Sequence, residues 1–184
     1  MKPTQRLHEL GQSLWLDNIT RTMLDDGTLE RYVAELSVTG LTSNPTIFAK
    51  AIMAGDAYDE QLAELRRHDL RGEELFFELA LTDLRRASGM FAAVNEHTDG
   101  VDGWVSLEVS PLLANDSAAT LEQVANLHSR AKCNIFIKIP GTDAGRVAIE
   151  ESTFAGTPIN VTLLFSTEQY LRAAEAYMRG LERR

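Results

Sequence analysis

One lysine, two carboxylates, two asparagines and two hydroxyl residues occur in this sequence at one kind of place, the polar end of a short apolar run. Lys138 is the sharpest case. It lies inside Ile135-Phe-Ile-Lys-Ile-Pro140, a β-branched and aromatic stretch that reads as a strand covered on both faces. Burial disfavours the charged form of an amine, and a neutral amine attacks carbonyl carbon to form a Schiff base. The competing reading is a lysine at a strand end whose ammonium reaches back to water.

The companions have plain readings of their own. Asp17 closes Ser13-Leu-Trp-Leu-Asp17 and could simply cap the segment from Ile19. Ser43-Asn44-Pro45 is a turn in any protein, with Asn44 a favoured residue before the proline. Glu108 ends Trp104-Val-Ser-Leu-Glu108 and could pair with a lysine across the barrel, in a run too apolar to leave a carboxylate idle. Asn160 and Thr162 stand two apart in a strand and therefore share a face. Together these groups supply a carbonyl nucleophile, proton carriers and holders of hydroxyl groups, which is the equipment of imine-based aldol chemistry.

The elements that position them alternate. A short helix over residues 4–11 precedes the first strand, and a helix from Thr28 to about Ser37 leads to a second strand, Val38–Thr42. Pro45 opens the next helix, to Ala54. Residues 56–97 carry apolar positions at three- and four-residue spacing and form two or three helices, with Gly72 and Gly89 as breaks. After the strand at Trp104, Asp116 or Ser117 caps a helix that delivers the chain to the lysine strand. A helix over 143–154, a strand from Ile159 to Phe165 and a final helix capped by Ser166 or Thr167 complete the order. Strands separated by helices imply right-handed βαβ units and a parallel sheet. The first strand is not followed by the glycine-rich loop of a doubly wound sheet, whereas chemistry at successive strand ends suits an α/β (β/α)8 TIM barrel. A full barrel has eight strands and typically about 250 residues. The 184 residues here form a single partial domain, 1–184, with about five βα units and a helical insertion between strands two and three.

Composition narrows the partners. A formal net charge of -9 argues against nucleic acid and against a membrane surface, and no run is long enough to span a bilayer. The one cysteine, Cys133, excludes an internal disulfide and suits packing in a reducing, cytoplasmic protein. His8, His68, His97 and His128 have no metal-ligand spacing, and Trp15 and Trp104 read as packing residues.

Three stretches carry a resemblance. Gly40-Leu-Thr-Ser-Asn-Pro-Thr-Ile-Phe48 resembles the first transaldolase signature, and Ile135-Phe-Ile-Lys-Ile-Pro-Gly-Thr142 resembles the strand bearing that family's Schiff-base lysine. Asn160-Val-Thr-Leu-Leu-Phe-Ser166 is similar to the family's next strand, and the long insertion is like that of the longer, bacterial type. The resemblance implies transfer of a dihydroxyacetone unit between sugar phosphates in the non-oxidative pentose phosphate pathway, without cofactor or metal. By the same resemblance Lys138 forms the imine and Asp17 takes the proton of the C4 hydroxyl. Glu108 moves protons during carbinolamine dehydration and imine hydrolysis, through a water held with Thr162. Asn44, Asn160 and Ser43 line the dihydroxyacetone subsite. Two other functions stay open: a fructose 6-phosphate type aldolase using the same lysine, and a truncated, inactive barrel fragment. The family's Ser-Phe-Val-Ser-Arg type strand, which grips the substrate phosphate, has no match here, although Arg146, in the first turn of the helix after the lysine strand, could approach an anion. The open strand edges of five units call for a partner, self-association included. Replacing Lys138 by alanine is expected to abolish turnover and spare the fold.

Overall fold

The computed structural model describes residues 1–184, which form two compact units, Met1–Val105 and Ser106–Arg184. The strands hydrogen-bond in sequence order as one five-stranded sheet. A doubly wound sheet would reverse its order at a switch point. The unbroken order, with helices between the strands, is that of the α/β barrel fold, of which this chain supplies five βα units.

In the first unit, α1 (Pro3–Glu9) precedes β1 (Leu14–Asp17). A five-residue helix, α2 (Arg21–Asp25), follows, and it lies outside the sequence expectation because so short a segment has no periodicity to detect. Thr20 caps it, its hydroxyl accepting from the Met23 amide at 3.1 Å. Next come α3 (Thr28–Leu36) and β2 (Val38–Thr42), which pairs parallel with β1 and sets Asp17 opposite Thr42. Gly40 is required there by close approach: a Cβ at this position would lie 2.5 Å from the Trp15 ring. The insertion consists of α4 (Pro45–Met53), α5 (Asp59–Arg67) and α6 (Gly72–His97). Gly89 does not interrupt α6, a helix of 26 residues, because Leu84, Ala87, Ser88 and Phe91 bury one face around it. That packing outweighs the roughly 1 kcal/mol a mid-helix glycine costs.

Strand β3 (Trp104–Glu108) crosses the division between the units. The amide of Gly103, just before it, donates to the Thr39 carbonyl in the first unit, and that of Val109, just after it, to the Lys138 carbonyl in the second. A 3-10 turn over Pro111–Leu113 leads into α7 (Ser117–Ala131), capped by Asp116 through the Ala119 amide at 3.0 Å. Then come β4 (Ile135–Pro140), α8 (Asp143–Phe154), β5 (Ile159–Thr162) and α9 (Thr167–Glu182). β5 stops at Thr162 rather than Phe165, because Leu163 takes a left-handed backbone, φ 59°, that no strand continues. Glu150 ties α8 to α9 through Arg179 and Arg183, whose hydrogen bonds hold its carboxyl below the usual range. On α9, Tyr170, Leu171, Tyr177, Met178 and Leu181 remain exposed. No helix is long and apolar enough to cross a membrane.

Candidate active site

Strand β4 is covered unequally. Ile135, Ile137 and Ile139 are buried on one face, while Phe136 and Lys138 alternate onto a face that is only part-buried. The expectation of burial on both faces therefore holds for the isoleucines alone. The Lys138 side chain is nevertheless 12% exposed, and its Nζ lies 3.3 Å from Glu108 Oε2, itself 15% exposed. The two readings of this lysine converge: the amine is largely withdrawn from water and is held by a carboxylate from the neighbouring strand.

The strand register sets the rest of this face. Lys138 pairs with Asn160, and Pro140 with Thr162. Adjacent residues in a parallel register point to the same side, so Asn160 stands beside the lysine. Its Nδ2 donates to Ser106 Oγ at 3.3 Å, and Ser106 is fully buried two residues before Glu108 on β3. Ser106 is absent from the candidates drawn from sequence. Its two-residue spacing from Glu108 was the available signal.

Close packing fixes this end of the second unit. Thr142 caps α8, its hydroxyl accepting from the Gly145 amide at 2.9 Å and donating to the Ala114 carbonyl at 2.6 Å. A side chain at Gly145 would collide with the Pro140 carbonyl, so the glycine lets the first turn of α8 sit against the end of the lysine strand. Arg146, in that turn, is paired with Asp143 Oδ1 at 2.9 Å.

The first unit holds the remaining candidates at the end of its own strand pair. Asp17 is exposed at the last position of β1. Opposite it, the Thr42 hydroxyl is buried without a hydrogen-bond partner. Ser43 is fully buried. Asn44 is the N-cap of α4, its Oδ1 accepting from the Ile47 amide at 3.0 Å, with Pro45 as the first helical residue. The turn reading of Asn44 is thus realised through its Oδ1.

The chain is also similar to known proteins. Residues 14–182 match the family described as Transaldolase/Fructose-6-phosphate aldolase. A transaldolase of Kocuria rhizophila is 43% identical over 182 residues, which is 98% of this chain and 50% of the relative. A transaldolase of Thiobacillus denitrificans is 42% identical over 185 residues, 100% of this chain and 52% of the relative. One from Thermobifida fusca is 44% identical over 181 residues, 98% and 49% respectively. The chain spans about half the length of these curated relatives. It belongs to the transaldolase/fructose-6-phosphate aldolase family.

Proposed function

We propose that this chain carries the Schiff-base machinery of a transaldolase, a transferase that moves a dihydroxyacetone unit from a ketose phosphate to an aldose phosphate. The observation that carries the reading is the pairing of Lys138 with Glu108 at 3.3 Å beside Asn160. Lys138 Nζ attacks C2 of sedoheptulose 7-phosphate or fructose 6-phosphate. Glu108 gives a proton to the departing hydroxyl of the carbinolamine and takes it back when water, held with Thr162, hydrolyses the imine. Asp17 removes the proton from the C4 hydroxyl. The C3–C4 bond breaks, its electrons pass into the iminium, and an aldehyde leaves an enamine on Lys138. The enamine then attacks erythrose 4-phosphate or glyceraldehyde 3-phosphate.

Asn44 and Ser43, with Asn160 on the Lys138 side, are proposed to hold the hydroxyls of the dihydroxyacetone unit. The enzyme needs no cofactor in this scheme, because the iminium is the electron sink, and the cytoplasm is the proposed location. The exposed apolar residues of α9 support association with a further copy or chain. The second reading, an aldolase, uses the same lysine and belongs to the same family name. Release of glyceraldehyde 3-phosphate from fructose 6-phosphate, followed with and without erythrose 4-phosphate, separates the two. Release that requires the acceptor supports transfer. Free dihydroxyacetone formed without an acceptor means a lyase, and no release in either case favours an inactive fragment.

A further inference from the structure

Four residues beyond Asp17, the first helical residue of α2 enters a buried polar network. Arg21 Nε and Nη2 donate to Asp83 Oδ1 at 3.0 and 2.8 Å, Nη2 reaches Gln61 Oε1 at 2.5 Å, and Nη1 reaches the Ala57 carbonyl at 3.3 Å. The guanidinium lies 4.2 Å from the centre of the Tyr58 ring. The Tyr58 hydroxyl donates to Asp83 Oδ2 at 2.7 Å and accepts from the Arg21 backbone amide at 3.2 Å. Asp83 is fully buried and Tyr58 nearly so. Both carboxylate oxygens are engaged, and the arginine is fixed by its fork, by its stacking and by its own main chain.

Withdrawing an ion pair from water adds little net stability compared with well-packed apolar residues. A planar guanidinium held by several directed bonds does set position and orientation closely. What this network orients is the loop leaving β1. At one end Asp17 is registered opposite Thr42, and at the other Arg21 is fastened to the insertion helices α5 and α6 and to the turn before α5. Between them Ile19 is fully buried and Thr20 caps α2, so two of the three intervening residues are anchored.

We infer that Arg21, Tyr58 and Asp83 are positioning residues for Asp17, and that the helical insertion between β2 and β3 serves the active site by supplying Tyr58 and Asp83 to hold Arg21. The inference rests on the proposed role of Asp17 as the base at the C4 hydroxyl. A misplacement of about 1 Å can cost roughly a hundredfold in a proton-transfer step, so a loosened network slows carbon–carbon cleavage. It leaves imine formation at Lys138 unaffected, since that step uses Glu108.

Borohydride reduction in the presence of fructose 6-phosphate separates these steps, because Lys138 carries a reduced hexose phosphate if trapped before cleavage and a reduced triose if trapped after it. Tyr58→Phe keeps the ring and removes the bridging hydroxyl, and Arg21→Lys keeps the charge and removes the fork. We expect the hexose-to-triose ratio to rise by roughly threefold in Tyr58→Phe and tenfold in Arg21→Lys, in the direction of Asp17→Asn, with total adduct unchanged. An unchanged ratio, or a fall in total adduct at constant ratio, overturns the inference. Absence of any adduct in the unsubstituted protein sinks the Lys138 reading instead. Hydrogen exchange of the residue 18–20 amides then decides: exchange about tenfold faster in Tyr58→Phe supports the positioning role, and equal exchange overturns it.

Discussion

Lys138 Nζ and Glu108 Oε2 are 3.3 Å apart, with both side chains largely out of solvent. A tight charge-assisted pair closes to about 2.7–2.9 Å, so the carboxylate holds the amine without locking it. In the proposed mechanism such a contact suits a nucleophile that must leave its partner to attack carbon, and it keeps the carboxylate beside the C–N bond that would form.

That pairing changes what loss of the lysine does. The sequence alone suggests that Lys138→Ala removes a buried amine at no cost to the fold. With Glu108 left beside the cavity and 15% exposed, the variant is expected to lose about 1–2 kcal/mol as well as all imine formation, the range for a buried acceptor that loses its partner. Adding Glu108→Gln in the same chain should recover most of the loss. Thermal melts of the single and double variants check this, and a double variant less stable than Lys138→Ala contradicts it.

Glu108→Gln keeps the shape and removes the titrating proton. Imine formation and hydrolysis should slow by about a hundredfold or more, the range for a positioned acid–base group, while weak ketose binding persists. Rapid-mix trapping at increasing ketose concentration reads the two separately. An unaltered trapping rate would assign the proton traffic to another group.

Ser106→Ala withdraws the acceptor from Asn160 Nδ2. The amide should lose its fixed orientation, raising the ketose concentration needed for half-maximal trapping about fivefold, a cost near 1 kcal/mol for one hydrogen bond. The maximal trapping rate should change little. An equal fall in maximal rate would mean that the serine acts in the chemical steps.

Tyr58 offers a test by titration. Burial first, then its hydrogen bond to Asp83 and the charge of that carboxylate, raise its hydroxyl well above the ordinary value of 10.0. Because the folded state holds the proton more tightly, this contribution to stability is complete below pH 10 and is lost as pH rises through the folded value. Ultraviolet titration should find Tyr58 still protonated above pH 10 until the protein unfolds. In Asp83→Asn it should ionise at lower pH than in the unsubstituted protein.

The parts of the fold legible in the sequence are those set by local chemistry. Asn44-Pro45 announces the start of α4, Pro140-Gly141 the end of β4, and short apolar runs the strands. The rest depends on residues far apart in the chain. Arg21 and Asp83, 62 positions apart, pair without any local sign. Ser106 and Asn160, 54 positions apart, likewise meet only through the fold. Gly89 looked like a break because intrinsic propensity is local, whereas the face that carries α6 past it is a matter of tertiary burial. Lys138 was legible as an anomaly, and the plain reading of Glu108, a carboxylate paired with a lysine from another strand, is realised at 3.3 Å.

The central claim, that Lys138 is a Schiff-base nucleophile, is tested most directly by reducing the protein with borohydride in the presence of fructose 6-phosphate and mapping the product by peptide mass spectrometry. The account predicts a stable sugar adduct on Lys138 that requires both ketose and borohydride and is lost in Lys138→Ala. No adduct, or an adduct on another lysine that persists in that variant, would contradict it.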